Sequence, residues 1–547
     1  MEDPHVRFRT RSDTEIALHL YEDLGPECLE HLRGQFAFVI WDEDEQTLFA
    51  ARDRFGLKPL FYHESNGVLY LASEAKALFA AGVPRGWDTH GVYRVLHACP
   101  DEERSLFADI FQVPPGHMLV STAGGTRLMR YWDVPPPAPD RPLRRLDLAK
   151  ETERIHHLVR ESVLLRTKAD VPVGCLLSGG LDSSAVLGIA ASCSGRPVAA
   201  FTVGFDHADY DESHGAKEAA QHANADHTLL PITDCALAEH FGDAVWHGEM
   251  VQYNSHGTAR YLLSRGVRDA GYKSVMAGEG ADEVFFGYGF LRAAARASAR
   301  PKWNRWMDLA MRFLRSPRRR YPGLSATSPW LARLASLLDL SPALLARAEG
   351  GLGHLRSLYS PDFIREFEGY DVYRAYYHAC DQRAGISKWD PARQINYLWL
   401  HSLFANYHLA ADRLDMAHGV EVRMPFLDHV LFEHVQQLPL CVLAGAGPEK
   451  ALLRHAVKGY IPESVSSRAK KPFWAPPTGA RTGNPLNEFV QDTLRGSGVS
   501  SVPFLDRGAV VRLLDALPKL EASQEASVDS LLLLLSSVGV IQERFRL

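Results

Sequence analysis

Several patterns are missing from this sequence, and each absence removes a class of function. Its seven cysteines, Cys28, Cys99, Cys175, Cys193, Cys235, Cys380 and Cys441, are odd in number, scattered and free of C-x-x-C spacing. That argues for reduced thiols rather than a disulfide framework, so a reducing compartment, the cytoplasm, is expected. Positive charge is not in excess: 60 Lys and Arg stand against 66 Asp and Glu, for a formal net charge of -6. Nucleic acid is therefore not an expected partner. The most apolar run, Leu531 to Ile541, is about half of the roughly 20 residues that span a bilayer, and no signal-peptide pattern opens the chain. No membrane partner is expected, and the run reads as a packed C-terminal helix.

What remains is a globular chain of 547 residues, 46% hydrophobic, long enough for two or three domains. It is organised around Ser178-Gly-Gly-Leu-Asp-Ser-Ser184, preceded by the apolar run Val173-Gly-Cys-Leu-Leu177. The run reads as a short buried strand, Gly179 and Gly180 permit a tight turn, and Ala185-Val-Leu-Gly-Ile-Ala190 opens a helix. Strand, glycine turn and helix start together make an anion site. Turn N–H groups, the positive helix end and the hydroxyls of Ser178, Ser183 and Ser184 all suit a phosphate or pyrophosphate. The turn has no lysine, so it is not the G-x-x-x-x-G-K-[ST] phosphate loop. Asp182 in such a cradle is accounted for by a magnesium ion bridging carboxylate and phosphate oxygens. Standing alone, the stretch could be only a strand-to-helix turn with an N-cap.

Strand patterns at 198–205, 226–230 and 273–277 alternate with a helical one at 212–222. Such alternation indicates a parallel, doubly wound α/β sheet with ligands beyond the strand C-terminal ends. At one such end stands Gly278-Glu-Gly-Ala-Asp-Glu-Val-Phe-Phe-Gly-Tyr288. Its carboxylates Glu279, Asp282 and Glu283 are costly to crowd unless a cation or a reacting proton uses them; in isolation the stretch could equally be a solvated acidic turn. From 396 to 438 the pattern is helical and includes Ala411-Asp-Arg-Leu-Asp-Met-Ala-His-Gly-Val-Glu-Val-Arg-Met-Pro-Phe-Leu-Asp428, in which Glu421 and Arg423 could be an ordinary ion pair. The arginine-rich stretch 291–321 reads as a polyanion patch or, with no aromatic stacking pattern beside it, as a solvated helical insertion.

Residues 1 to 132 alternate short apolar runs with turn signals, which suggests an antiparallel sheet with helices at 14–24 and 74–81. Ser12-Asp-Thr-Glu15 reads as a capping arrangement at the first of these. Val134 to Pro142 is proline-dense and reads as a semi-rigid linker. The expected division is 1–132, a linker at 133–144, and 145–547.

SGGLDSS resembles the pyrophosphate loop of the ATP pyrophosphatase (PP-loop) enzymes, and its surroundings resemble the asparagine synthetase family of glutamine-dependent amidotransferases. Residues 278–288 resemble that family's GEG-[SA]-DE-x-x-GGY signature, with Phe286 where a glycine is usual. Residues 412–428 resemble its DR-x-SMAHGVE-x-R-x-PFLDH segment, with Asp415 in place of the usual Ser or Thr. In the first 132 residues, SDTE, LRGQFAFVIWD, ARDRFGLKPLFY, ASEAKAL and VPPGH resemble the second half of the family's αββα N-terminal-nucleophile glutaminase domain. The first half of that domain is absent, and no cysteine lies near the start to serve as the glutaminase nucleophile. Either the true N-terminus is missing from this sequence, the preferred reading, or glutamine hydrolysis has been lost in favour of ammonia or an amine already in the substrate. Half a sandwich should expose a hydrophobic face, and the fragment is expected to be mobile or poorly packed.

The resemblance implies an ATP- and Mg2+-dependent amide ligase that forms an acyl-adenylate and pyrophosphate and then lets nitrogen displace AMP. It implies an ATP-binding set of Leu176, Ser178, Gly179, Gly180, Asp182, Ser183, Ser184, Val203, Ala277 and Gly278, and magnesium held by Asp182 and Asp282. Glu279 would take the proton from the attacking nitrogen, and Lys450 and Lys470, twenty residues apart in the family's active-site interval, would be catalytic lysines. Asp13 would hold the glutamine amino group. The implied partners are aspartate or an analogue and glutamine or ammonia, with a homodimer left open. Aspartate is first by the family's commonest activity, but the segment 247–257 and Asp415 leave room for another carboxylic acid, as in relatives that make specialised amides or lactams. A tRNA-modifying PP-loop enzyme and a catalytically idle partner subunit are the rival readings.

Overall fold

The computed structural model describes residues 8–138, 146–298, 355–445, 447–468, 475–519 and 522–547. The apolar runs of the first 132 residues form β1 (Ala37–Asp42), β2 (Thr47–Arg52), β3 (Phe61–Ser65), β4 (Val68–Ala72), β5 (Phe111–Gln112), β6 (His117–Thr122) and β7 (Gly125–Arg130). They make two antiparallel sheets, ordered β1-β2-β6-β7 and β4-β3-β5, where the sequence suggested one. Ala50 of β2, Leu119 of β6, Leu60 and Val113 form a shared apolar core, with Leu69 and Leu71 of β4 against it. The helix Thr14–Leu24 covers the other face of β2, with Tyr21 stacked on Phe49 at 4.9 Å. This interior is closely packed, not loose as the sequence suggested, with Val39 and Trp41 on the edge strand β1 and Ile16 and Leu18 on the helix left exposed. At the helix start Ser12 Oγ accepts from the Thr14 N–H at 3.3 Å, and Glu15 reaches back to the N–H groups of Arg9 (2.6 Å) and Thr10 (2.7 Å).

The second sheet is built from β8 (Val173–Leu176), β9 (Ala199–Phe205), β10 (Asp226–Ile232), β11 (Ser274–Met276) and β12 (Glu421–Arg423). Its five strands are ordered β10-β9-β8-β11-β12 and every neighbouring pair is parallel. Nearly every residue of β9 is buried, as a strand covered by helices on both faces must be. Chain order runs outward from β8 to β9 and β10 on one side and through β11 to β12 on the other. The reversal between β8 and β11 is the switch point at which open α/β sheets bind ligands, and the two singled-out loops leave the sheet there.

Two boundaries differ from the sequence reading. The helix after β8 runs Leu181–Cys193, starting at Leu181 and not at Ala185, so Asp182, Ser183 and Ser184 occupy its first turn. The stretch 396–438 is not helical throughout: β12 interrupts it between the helices Ala405–Met416 and His429–Gln436. A three-residue strand is too short for its alternation to be told from a helical pattern. The Glu421–Arg423 pair is the ordinary one foreseen: Arg423 Nε donates to Glu421 at 3.0 Å and Nη1 to the carbonyls of Arg166 and Lys168. The run 531–541 lies in the helix Ala522–Phe545, and no helix among the described residues is long and apolar enough to cross a membrane.

Gly188 fixes the helix Leu181–Cys193 against its neighbour: a Cβ there would lie 2.0 Å from the Tyr460 carbonyl oxygen. Backbone cannot yield as a side chain can. Gly188→Ala is expected to cost about 1–3 kcal/mol, read as a lower urea midpoint and a lower melting temperature.

Candidate active site

Gly179, at φ +75°, turns the chain after β8 in a left-handed conformation, and a Cβ there would meet the Ala216 nitrogen at 2.3 Å. Only glycine fits both constraints. Gly180 is the N-cap of the following helix and brings no side chain to cap it. The loop is braced from within: Ser183 Oγ accepts from the Ser178 N–H at 3.2 Å, and Ser178 Oγ accepts from the Gly180 N–H at 3.3 Å. Ser184 Oγ is buried with no hydrogen-bond partner. A cradle of helix-start N–H groups and hydroxyls, with one of those hydroxyls unsatisfied, is the setting in which a phosphate is bound. Leu176 ends β8, half-buried; Val203 is buried in β9 among Phe205 and Ile232; Ala277 is buried at the end of β11.

The loop after β11 is pressed onto this cradle, since a Cβ on Gly278 would lie 2.5 Å from the Ser183 nitrogen. Gly278→Ala must part the two loops, and for the ligase reaction that the resemblance implies, misplacement on that scale is expected to lower acid-dependent pyrophosphate release by about 100-fold. A steady-state assay at saturating ATP checks it.

The carboxylates of this loop do not act as one cluster. Asp282 Oδ1 accepts from Lys450 Nζ at 2.9 Å, and the same ammonium donates to both oxygens of Asp182, at 2.8 and 2.6 Å. Glu279 instead pairs with Arg260, whose Nη1 donates to Oε1 at 2.5 Å. Glu283 turns into the interior, accepting from the Tyr288 hydroxyl at 2.7 Å and from Trp399 Nε1 at 3.0 Å. Burial, with Asp282 beside it, pushes the Glu283 carboxyl up to about 7. The three side chains thus go to separate partners, while Asp282 and Glu283 still repel each other. Lys450 is buried on left-handed backbone at φ +52°. Burial opposes its charge, but Asp182 and Asp282 outweigh it and hold the ammonium above its usual range.

Phe286 explains its own oddity. It sits at φ +54°, the conformation for which glycine is the usual choice, and is completely buried in the main core. Left-handed backbone costs a bulky residue about 1–3 kcal/mol, which burying a phenylalanine, at roughly 1.5–3 kcal/mol, offsets. The next residue cannot make that exchange: a Cβ on Gly287 would lie 2.0 Å from Asp282 Oδ1.

Sequence reasoning missed Arg260 and His408. Arg260 Nε donates to both oxygens of Asp415 (3.0 and 2.9 Å) and Nη2 to Oδ2 (2.6 Å), while Ser264 Oγ donates to Oδ1 at 2.5 Å. Burial pushes the Asp415 carboxyl up, Arg260 and Ser264 pull it back, and it settles at about 6, so it is mostly ionised at neutral pH. His408 Nδ1 lies 3.4 Å from Glu279 Oε2. Burial drives its imidazole down to about 4, so it is neutral beside Glu279. The one sequence signal for this network was Asp415 itself, an acid in a helix position that needed a buried partner.

The remaining predicted residues fall elsewhere. Asp13 is exposed at the head of the helix Thr14–Leu24 and makes no side-chain cap. Lys470 lies outside the described residues, as does 299–321 of the arginine-rich stretch. Of its earlier part, Arg292 donates to the Gly445 carbonyl at 3.4 Å. Cys28 and Cys99, the cysteines of the first 132 residues, are buried, and burial pushes their thiols up to about 11 and about 12. Neither has the low-pKa, accessible thiol of a nucleophile.

The donor set at Asp182 and Asp282 fits magnesium. The described residues hold no group of three or more His, Cys, Asp or Glu arranged for a metal. Magnesium is commonly held by one or two carboxylates, with phosphates and water completing its shell.

Two family models match the chain: one described as asparagine synthase over residues 154–538, the other as a glutamine amidotransferase domain over residues 1–132. The chain is 32% identical to a Penicillium rubens protein named Amidase chyE, over 92% of this chain and 78% of that one. It is 29% identical to a Gibberella zeae protein named Amidase chry2, over 93% of this chain and 79% of that one. It is 28% identical to asparagine synthetase [glutamine-hydrolyzing] 1 of Bacillus subtilis, over 94% and 79% respectively.

Proposed function

Because the chain belongs to the asparagine synthase family, we propose that the crevice between the β8 and β11 loops activates a carboxylic acid with ATP for amide formation. The protein is an ATP-dependent amide ligase of the asparagine synthase type. The observation that carries the site assignment is the meeting of Asp182 and Asp282, 100 positions apart in sequence, on one buried ammonium. We divide the chain accordingly into a partial amidotransferase unit at 1–132, a linker at 133–144 and a synthetase unit at 145–547.

A carboxylate and an amine do not condense in neutral water, so the acid attacks the α-phosphorus of ATP, giving an acyl-adenylate and pyrophosphate. Ser178, Gly179, Gly180, Ser183 and Ser184 bind the leaving pyrophosphate through hydroxyls and helix-start N–H groups. Leu176, Val203, Ala277 and Gly278 line the nucleotide's approach. Asp182 and Asp282 would hold the magnesium ion, which when bound supplies neutralisation of leaving-group charge. Lys450 places its ammonium beside the same oxygens and, with Lys470 as the second lysine, stabilises negative charge as it develops. Glu279, held through Oε1 by Arg260 and 29% exposed as a side chain, is the carboxylate that takes the proton from the attacking nitrogen.

Aspartate is the first acid to test, on family grounds. Asp415 where a hydroxyl is usual favours a second reading, amidation of a different acid. The two relatives named amidases fit that alternative. Nitrogen arrives as ammonia, released from glutamine or free. The test is amide formation and pyrophosphate release across an acid panel with each nitrogen source. Release of ADP, or none with any acid, would refute the proposal.

A further inference from the structure

We propose that Asp415 sets which carboxylic acid the site accepts, by binding the Arg260 guanidinium and withholding it from the substrate; this rests on the amide-ligase reading above. The three side chains are stacked by depth. Glu279 is 29% exposed, Arg260 7% and Asp415 1%, so Arg260 lies between the open crevice and a carboxylate at its floor. All three guanidinium nitrogens are engaged: Nε and Nη2 grip Asp415 from the side, and Nη1 is drawn to Glu279. A third carboxylate finds neither two-pronged face of the guanidinium open. Ser264 fixes the arrangement by donating to Asp415.

Charge points the same way. Arg260 contributes one positive charge, Glu279 and Asp415 two negative ones, and His408 is neutral, so the group facing the crevice is net negative. A second carboxylate on the substrate meets repulsion there, whereas an amine or a neutral group does not. With a hydroxyl at position 415, the same arginine would have a free fork for a substrate carboxylate. Specificity then comes from the repulsive element as much as from the attractive one.

The test pair is aspartate and β-alanine, which differ only in aspartate's α-carboxylate, with acid-dependent pyrophosphate release measured for the wild type, Asp415→Ser and Ser264→Ala. Asp415→Ser is expected to raise the aspartate to β-alanine ratio of kcat/KM by about tenfold or more, mainly through a lower KM for aspartate. Ser264→Ala only loosens Asp415 and is expected to move the ratio in the same direction by about twofold to threefold, a shift that can be read even if Asp415→Ser does not fold. An unchanged ratio in the folded variants, with both acids losing rate alike, is the mark of a merely structural ion pair and overturns the inference. Absence of release from the wild type with every acid of the panel, aspartate and β-alanine included, overturns the ligase reading and this inference with it, whereas wild-type release with another acid, and no gain of aspartate-dependent release in Asp415→Ser, overturns this inference alone.

Discussion

Asp182→Asn is expected to lower acid-dependent pyrophosphate release by about 100- to 1,000-fold, the loss seen when one preorganised charge partner leaves a transition state. The change is nearly isosteric and keeps a hydrogen-bond acceptor for Lys450, whose ammonium still pairs with Asp282 at 2.9 Å. The fold should therefore survive, and the melting temperature should stay close to that of the wild type. Asp282→Asn should behave alike. In the proposed mechanism both carboxylates serve one ion and one leaving group, so the double variant should lose scarcely more than either single one. Multiplied losses in the double variant would mean that the two aspartates act at separate places.

His401→Ala should give the largest loss of stability. His401 Nδ1 contacts Glu102 at 2.5 Å and its Nε2 lies 3.2 Å from Asp133, and Arg383 also donates to Glu102. Burial works against the imidazolium, but Glu102 and Asp133 overcome it and hold His401 up at about 9. Burial likewise opposes the Glu102 carboxylate, and His401 and Arg383 overcome that too, holding it down at about 2. Removing the imidazole leaves Glu102 to Arg383 and Asp133 to Arg130 and Tyr397, two carboxylates short of one cation, a change expected to cost about 3 kcal/mol, the low end for a broken buried pair. The pH dependence has a fixed sign. His401 is raised on folding, so its contribution is complete below its ordinary value of 6.5 and fades as pH rises through about 9. Glu102 is lowered, so its contribution is complete above 4.5 and fades as pH falls toward about 2. Urea unfolding at pH 7 and at pH 9.5 should show the wild type weakening between the two and His401→Ala lower at pH 7 but flatter. An equal fall in both proteins would deny His401 this role.

The same cluster shows where sequence reasoning stops. Glu102 and Asp133 on one side, and Arg383, Tyr397 and His401 on the other, lie at least 250 positions apart in the chain, and no local pattern marks them as partners. The π-helical turn Leu400–Phe404, which carries His401, has no distinct signal either. What could be read were features that local chemistry dictates. The helix Thr14–Leu24 has the expected bounds, because turn residues flank it closely. The Ser178 and Gly278 loops were legible because glycine at Gly179 and Gly278 answers a backbone need that other residues cannot meet. The fates of Glu279, Asp282 and Glu283 were not, since three carboxylates close in sequence take partners from three distant helices and loops. Arg260 escaped notice for a related reason: an arginine in an amphipathic helix reads as solvated until its buried acid, Asp415, is brought against it.

The most direct measurement follows an oxygen atom. Incubated with ATP, magnesium and a reactive acid whose carboxylate carries oxygen-18, the enzyme should yield AMP bearing one labelled oxygen in its phosphate, together with unlabelled pyrophosphate, in step with amide formation. Label in inorganic phosphate with ADP as the nucleotide product, or AMP without label, would contradict attack of the carboxylate on the α-phosphorus between the Asp182 and Asp282 loops.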